Sequence, residues 1–304
     1  MDQRTEIEKI IKHDGLEKFL LDQGIGQEAI DASKKEIAQE EKQEYKFYYD
    51  DTGKTAENIQ IPVSQIRGVS RISGYSWFKL LEYSLLGVPS FIPLDSFNLN
   101  RISFLNWVST LAKTNLQTIN EIYQKADTLE FSCYEKNGIK EYYGINDGNH
   151  RTITAKIYGL QELPARRVNY YEFNDDKYQE YQMYKAKKKE FGKLLERLGL
   201  FVDFYGCISF QINDSVITIT DYPFENLVDG HRPISEMIGT ADLLTPILEE
   251  VKNFSERFQQ RYRHYPTVLK HFLYQQLQNN EIRIEEQDFA KKMGRCIALK
   301  RVNN

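Results

Sequence analysis

Asp147, Gly148, His150 and Arg151 fall within five consecutive positions, and their types together suit an anion. They lie in the stretch 142–159, YYGINDGNHRTITAKIYG. A short apolar run, Tyr142, Tyr143 and Ile145, meets Asn146-Asp147-Gly148, and Ile153 and Ile157 then recur at helical spacing before Gly159. That is the pattern of a strand, a tight turn and a helix. The first amides of a helix have no carbonyl partners within it, and the peptide dipoles place partial positive charge there. Gly148 admits close backbone approach, and Arg151 brings a planar fork of donors matched to phosphate. In this reading Arg151 clamps phosphate oxygens, His150 bonds a phosphate or orients the turn, and Asp147 fixes the turn or reaches a metal. Asn149 and Thr152 complete the binding stretch. The plainer alternative stays open: Asp-Gly turns are common, and Arg151 can serve simply as a partner for Asp147 or a neighbouring carboxylate.

The order Ile145, Asp147, Gly148, His150, Arg151, Ala155, Gly159, Pro164 resembles the central box of the ParB/sulfiredoxin superfamily. There a strand ends in an (I/V)xDGxHR-type turn, a helix follows, and the next strand opens with a proline. Upstream, residues 58–71 read NIQIPVSQIRGVSR, similar to the opening strand of that domain and its Gly-x-x-Arg turn, here Gly68 and Arg71. The resemblance spans about 58–172, with a longer connection over 72–130 than the family usually has. It implies a nucleotide (ATP, ADP or CTP) with Mg²⁺. The phosphates would be held at Gly148, Asn149, His150, Arg151 and Thr152, with help from Gly68 and Arg71. Asp147, His150 and Arg151 would carry phosphoryl transfer or NTP hydrolysis. The alternative it implies is a non-catalytic, DNA-associated module that uses nucleotide as a switch. Two departures narrow the activity. Asn149 stands where sulfiredoxins have their cysteine, which disfavours reductase chemistry. Residues 67–71, RGVSR, carry no carboxylate where the related amino-acid kinases place theirs.

Composition bounds the partners. With 304 residues, 41% hydrophobic and 13% aromatic, the chain is a folded protein long enough for two domains. Net charge is −4 and pI about 5.9, no footprint of a general nucleic-acid binder. Cys133, Cys207 and Cys296 are far apart and lack zinc or disulfide spacing, which points to a reducing compartment. The charged N-terminus does not fit a signal peptide, and no apolar run reaches the ~18 residues of a membrane span. The expectation is a cytoplasmic protein without membrane contact. Besides nucleotide, the C-terminal lobe is the place for a DNA or protein partner, and a homodimer is open.

These elements must position the turn. The patterns predict an N-terminal helical segment over 1–57 (helices at 3–23 and 27–44, a loop at 50–54). A mixed α/β core follows over 58–172, then a mainly helical α+β lobe over 173–304. In the core, Asn137-Gly138 signals a hairpin, so the anion turn leaves the second strand of that hairpin. In the lobe, a helix over Asp176–Leu198 precedes a hairpin with Asn213-Asp214 as its loop, in which Phe210 faces Ile217 and Ile208 faces Ile219. Helical sequence after Pro233 has expected breaks near Pro246 and Pro266. Asp229-Gly230-His231-Arg232 repeats the DG(x)HR chemistry, but Pro233 directly after it marks a lead-in to a helix. The basic, aromatic stretch 257–272 fits a helix outer face better than a nucleic-acid surface, and 289–294 matches a helix-turn-helix elbow only weakly.

Overall fold

Gly15 adopts φ of 88°, rarely open to a residue with a Cβ, and splits the first amphipathic stretch into α1 (Gln3–Asp14) and α2 (Leu16–Asp22). The single helix expected over 3–23 is therefore two. The computed structural model describes residues 3–70, 73–87, 106–109, 112, 116–124, 129–145, 148–212, 215–224, 232–261, 263–266 and 268–269. α3 (Gln27–Lys35) stops well short of residue 44. Its continuation pairs with other backbone instead: Ala38 N donates to Tyr75 O at 2.9 Å, and Gln39 N to Arg67 O at 2.8 Å.

α4 (Tyr45–Tyr48) leads into β1 (Tyr49–Pro62). The loop expected at 50–54 lies inside this strand. Its Gly53 (φ 65°) and the Asp51 Oδ1 acceptor for Gly53 N form a bulge, where the pairing register slips between Asp51 and Thr55. The boundary expected after residue 57 also falls within β1. After a 3₁₀ turn at Val63–Gln65 come β2 (Ile66–Gly68) and α5 (Trp77–Leu86), which Ser76 caps by accepting Lys79 N at 3.2 Å. A helical piece at 106–109 and α6 (Leu116–Gln124) follow. β3 (Glu130–Lys136) and β4 (Ile139–Ile145) form the hairpin read from Asn137-Gly138, both residues at positive φ. α7 (Asn149–Ile157) and β5 (Glu162–Phe173) complete this part.

The sheet has the order β1-β5-β3-β4-β2. β1/β5 and β3/β4 are antiparallel, while β3/β5 and β2/β4 are parallel. The class is mixed α/β, as expected. Because side chains alternate across a strand, Phe131 and Cys133 of β3 face one way and Ser132 and Tyr134 the other. The first face shares one apolar core with Trp77 and Leu80 of α5, Ile153 and Ile157 of α7, and Ile7, Phe19 and Ile30 of the N-terminal helices. On the second, Tyr134 packs 4.6 Å from Tyr45 and stacks 4.9 Å from Tyr171, ring centre to ring centre. The N-terminal helices thus belong to the same body as the sheet.

Two compact units divide at 177/178, within the first turn of α8 (Asp175–Leu198). The second unit continues with β6 (Phe201–Val202), β7 (Cys207–Ile212), β8 (Ser215–Asp221) and α9 (Ile234–Arg261). Phe210 faces Ile217 as read, but Ile208 faces Thr220 rather than Ile219, because the register shifts between Ile208 and Ser209. Pro246 does not break α9. It removes one amide, while Met237, Ala241, Leu244, Leu248 and Val251 bury one face on both sides of it. Asn213-Asp214, Asp229–His231 and most of 257–304 lie outside the described residues. Among those described, no helix is long and apolar enough to cross a membrane.

Candidate anion site at the start of α7

Gly148 precedes α7 with φ 99° and ψ 10°, the left-handed conformation that turns the chain from β4 into the helix. A Cβ there would stand 2.0 Å from Leu129 Cδ2, so the glycine is also demanded by packing under the turn. The helical ladder begins with Thr152 N donating to Gly148 O at 3.1 Å. α7 therefore opens at the position read from the sequence. Asn146, Asp147 and Arg71 lie outside the described residues.

Helical side chains slope toward the N-terminus of their helix. Arg151 does so: its Nη2 lies 3.8 Å from where a Gly148 Cβ would be, so the guanidinium folds back over the turn. The His150 ring meets Trp107 edge to face, with centroids 5.7 Å apart. Trp107 Nε1 in turn donates to Thr154 Oγ1 at 2.9 Å, and the Thr154 hydroxyl donates to the His150 carbonyl at 2.7 Å. Tyr123 joins the same hydroxyl. Burial pushes the Tyr123 phenol up, against the lowering effect of its bonds to Thr154 and Trp107 and of the Arg151 charge. Trp107, Tyr123 and Thr154 thus form the floor beneath His150. Sequence reading missed them, since Trp107 and Tyr123 sit in the long connection that had no motif.

The other expected binders have different duties. Thr152 is 2% exposed and faces the core. Asn149 Nδ2 donates to Ser70 O at 3.0 Å, tying the start of α7 to the chain just after β2. This contact does bring the two sequence boxes together. Gly68 is not open to a ligand: a Cβ there would fall 1.9 Å from the Gln39 carbonyl oxygen, so its bareness serves the 36–39 segment that crosses it. A charged row anchors the same region. Lys156 Nζ lies 2.8 Å from Glu36, Arg67 spans Glu36 (3.9 Å) and Glu141 (3.4 Å), and burial lowers the Lys156 pKa against the pull of Glu36.

Among the described residues no three His, Cys, Asp or Glu side chains group as metal ligands. Cys133 is fully buried, and burial pushes its thiol up to about 11, the behaviour of a small core residue. Arg232 precedes Pro233, whose carbonyl accepts Glu236 N and Met237 N at 3.1 and 3.2 Å; this is the lead-in to α9. No protein-family profile, curated protein or solved structure matches this chain.

Proposed function

We propose that the turn at 147–151 binds the phosphates of a nucleotide, within a ParB/sulfiredoxin-like core. One observation carries the reading: the Arg151 guanidinium lies over Gly148, at the positive end of α7. A cation there opposes the helix dipole, whereas an anion is attracted by the dipole, the first-turn amides and the guanidinium together. His150 stands on the next position, held through its own carbonyl by Thr154 and against the Trp107 ring. His150 is rooted in a packed floor, so little ordering of its ring remains to be done when phosphate arrives.

ATP, ADP and CTP are the nucleotides this reading favours, and phosphoryl transfer or NTP hydrolysis is the chemistry. In such reactions positioning and charge neutralisation supply most of the catalysis. Arg151 would neutralise phosphate oxygens and His150 would donate to them. Mg²⁺ commonly enters with the phosphates and one or two carboxylates, and Asp147 is the carboxylate of the turn. A thermal-shift series with ATP, ADP, CTP and GTP, each with and without Mg²⁺, tests the proposal. A ligand at ~100 times its dissociation constant adds about 2.7 kcal/mol of apparent stability, a shift of several degrees. Equal melting with every nucleotide and with buffer alone would remove it.

A further inference from the structure

Trp107 stands half-buried beside the anion turn, its ring centre 5.7 Å from that of His150. It belongs to the long connection between β2 and β3, outside both of the sequence boxes that suggested a phosphate site. The ring is held in place. Its Nε1 donates to Thr154 Oγ1 at 2.9 Å and to Tyr123 Oη at 3.1 Å, and the Tyr123 ring meets it edge to face, with centres 5.2 Å apart. The polar edge of the indole is thus spent inward, while part of its apolar surface is left to water. The other tryptophan of the chain, Trp77, is wholly enclosed in the core.

A buried hydroxyl beneath the same turn is short of a partner. Thr154 and Tyr158 follow Arg151 by three and seven residues, a spacing that brings all of them to one face of the helix. Tyr158, which closes α7, is 5% exposed, and its hydroxyl has no hydrogen-bond partner among the described residues. Helical side chains slope toward the N-terminus, so this phenol points along α7 toward Arg151. The Tyr123 phenol feels the charge of both groups, in keeping with one shared cluster. A buried hydroxyl without a partner costs free energy, and a polar group arriving at the turn, or a water that it brings, can complete the bond.

We infer, on the strength of the phosphate site proposed above, that Trp107 is the stacking platform for the base and that the site prefers purine nucleotides. A nucleobase offers a flat π-face to the indole, and its sugar carries hydroxyls and spans the gap to phosphates at Gly148–Arg151. Every base can stack on an aromatic ring, but the two fused rings of a purine cover more of an indole than the single ring of a pyrimidine. Because Nε1 is already fixed from below, stacking costs little further ordering of the tryptophan.

Calorimetric titration of ATP, GTP, CTP and inorganic tripolyphosphate, each with Mg²⁺, into the full chain tests this, because tripolyphosphate brings the charge without the base. Wild type should bind ATP and GTP roughly 5- to 150-fold more tightly than tripolyphosphate, the worth of one stacked base, with CTP between. Trp107→Leu, checked for folding by circular dichroism, should erase that ratio, and Trp107→Phe, which keeps a ring, should retain part of it. ATP should also quench the tryptophan emission of wild type where tripolyphosphate does not. In Trp107→Phe only Trp77 emits, and the quenching should be lost. A Trp107 that merely supports His150 predicts otherwise, since its loss would weaken ATP and tripolyphosphate alike and leave the ratio unchanged. Purine nucleotides no tighter than tripolyphosphate in wild type, or an advantage that survives Trp107→Leu, overturn the inference while the phosphate site stands. Absence of binding by tripolyphosphate and nucleotides alike overturns both.

Discussion

Single residues show how one glycine answers two demands at once. The reason read from sequence for Gly148 was ligand approach to the backbone; the structure adds a left-handed φ and the Leu129 side chain directly beneath. Gly148→Ala should therefore destabilise the protein itself, by about 1–3 kcal/mol of backbone strain plus displacement of buried Leu129. Chemical denaturation without any nucleotide checks this, and an unchanged midpoint would show that the turn relaxes freely. Asn149 makes a similar point. Its side-chain amide is spent on the Ser70 carbonyl, where no ligand is needed to account for it. Removing it with Asn149→Ala should cost about 1 kcal/mol, the usual worth of such a bond, and should loosen the chain after β2 from α7. Exchange of the Thr152 amide, bonded to the Gly148 carbonyl at the start of α7, that did not quicken in the variant would contradict that role.

At the level of elements, what was legible had a local physical cause. The Asn137-Gly138 hairpin and the start of α7 are both fixed by residues within a turn of where they act. The failures came where distant backbone competes. Residues 36–44 have helical composition, but the amides of Ala38 and Gln39 donate to the carbonyls of Tyr75 and Arg67, contacts far away in sequence. Gly53 reads as a loop, and becomes a bulge because β5 pairs on both sides of it. Pro246 reads as a break, and is absorbed because α9 is packed along its length. For the candidate site, the turn was visible while its floor of Trp107, Tyr123 and Thr154 was not, since it assembles across the connection between β2 and β3. The Gln39 crossing yields its own test. Gly68→Ala would force a methyl against the Gln39 carbonyl, and overpacking of this kind typically costs about 1–3 kcal/mol. A variant as stable as wild type in urea would mean that the crossing segment moves aside without loss.

The whole molecule is built around tyrosine, with 20 in the chain, and many of them are packed ring to ring. Burial pushes the phenols of Tyr49 in the first unit and Tyr184 in the second up to about 12, from an ordinary 10.0. Between those values the folded state keeps protons that the unfolded chain has released, so stability falls with rising pH across that window and is undiminished below about 10. Denaturation midpoints measured from neutral to strongly alkaline pH, alongside tyrosinate absorbance, should show both units weakening as the phenols ionise. Stability constant through pH 12 would mean the rings are not held as described. Calorimetric titration of ATP, ADP and CTP, with Mg²⁺, into wild type, Arg151→Ala and Arg232→Ala tests whether the turn before α7 binds phosphate. Loss of a charged hydrogen bond costs about 1.5–3 kcal/mol, so Arg151→Ala should bind at least one of these nucleotides roughly 10- to 150-fold more weakly than wild type, with Arg232→Ala unchanged. Equal binding by wild type and Arg151→Ala, or binding lost only in Arg232→Ala, would mean that the turn before α7 does not hold the phosphates.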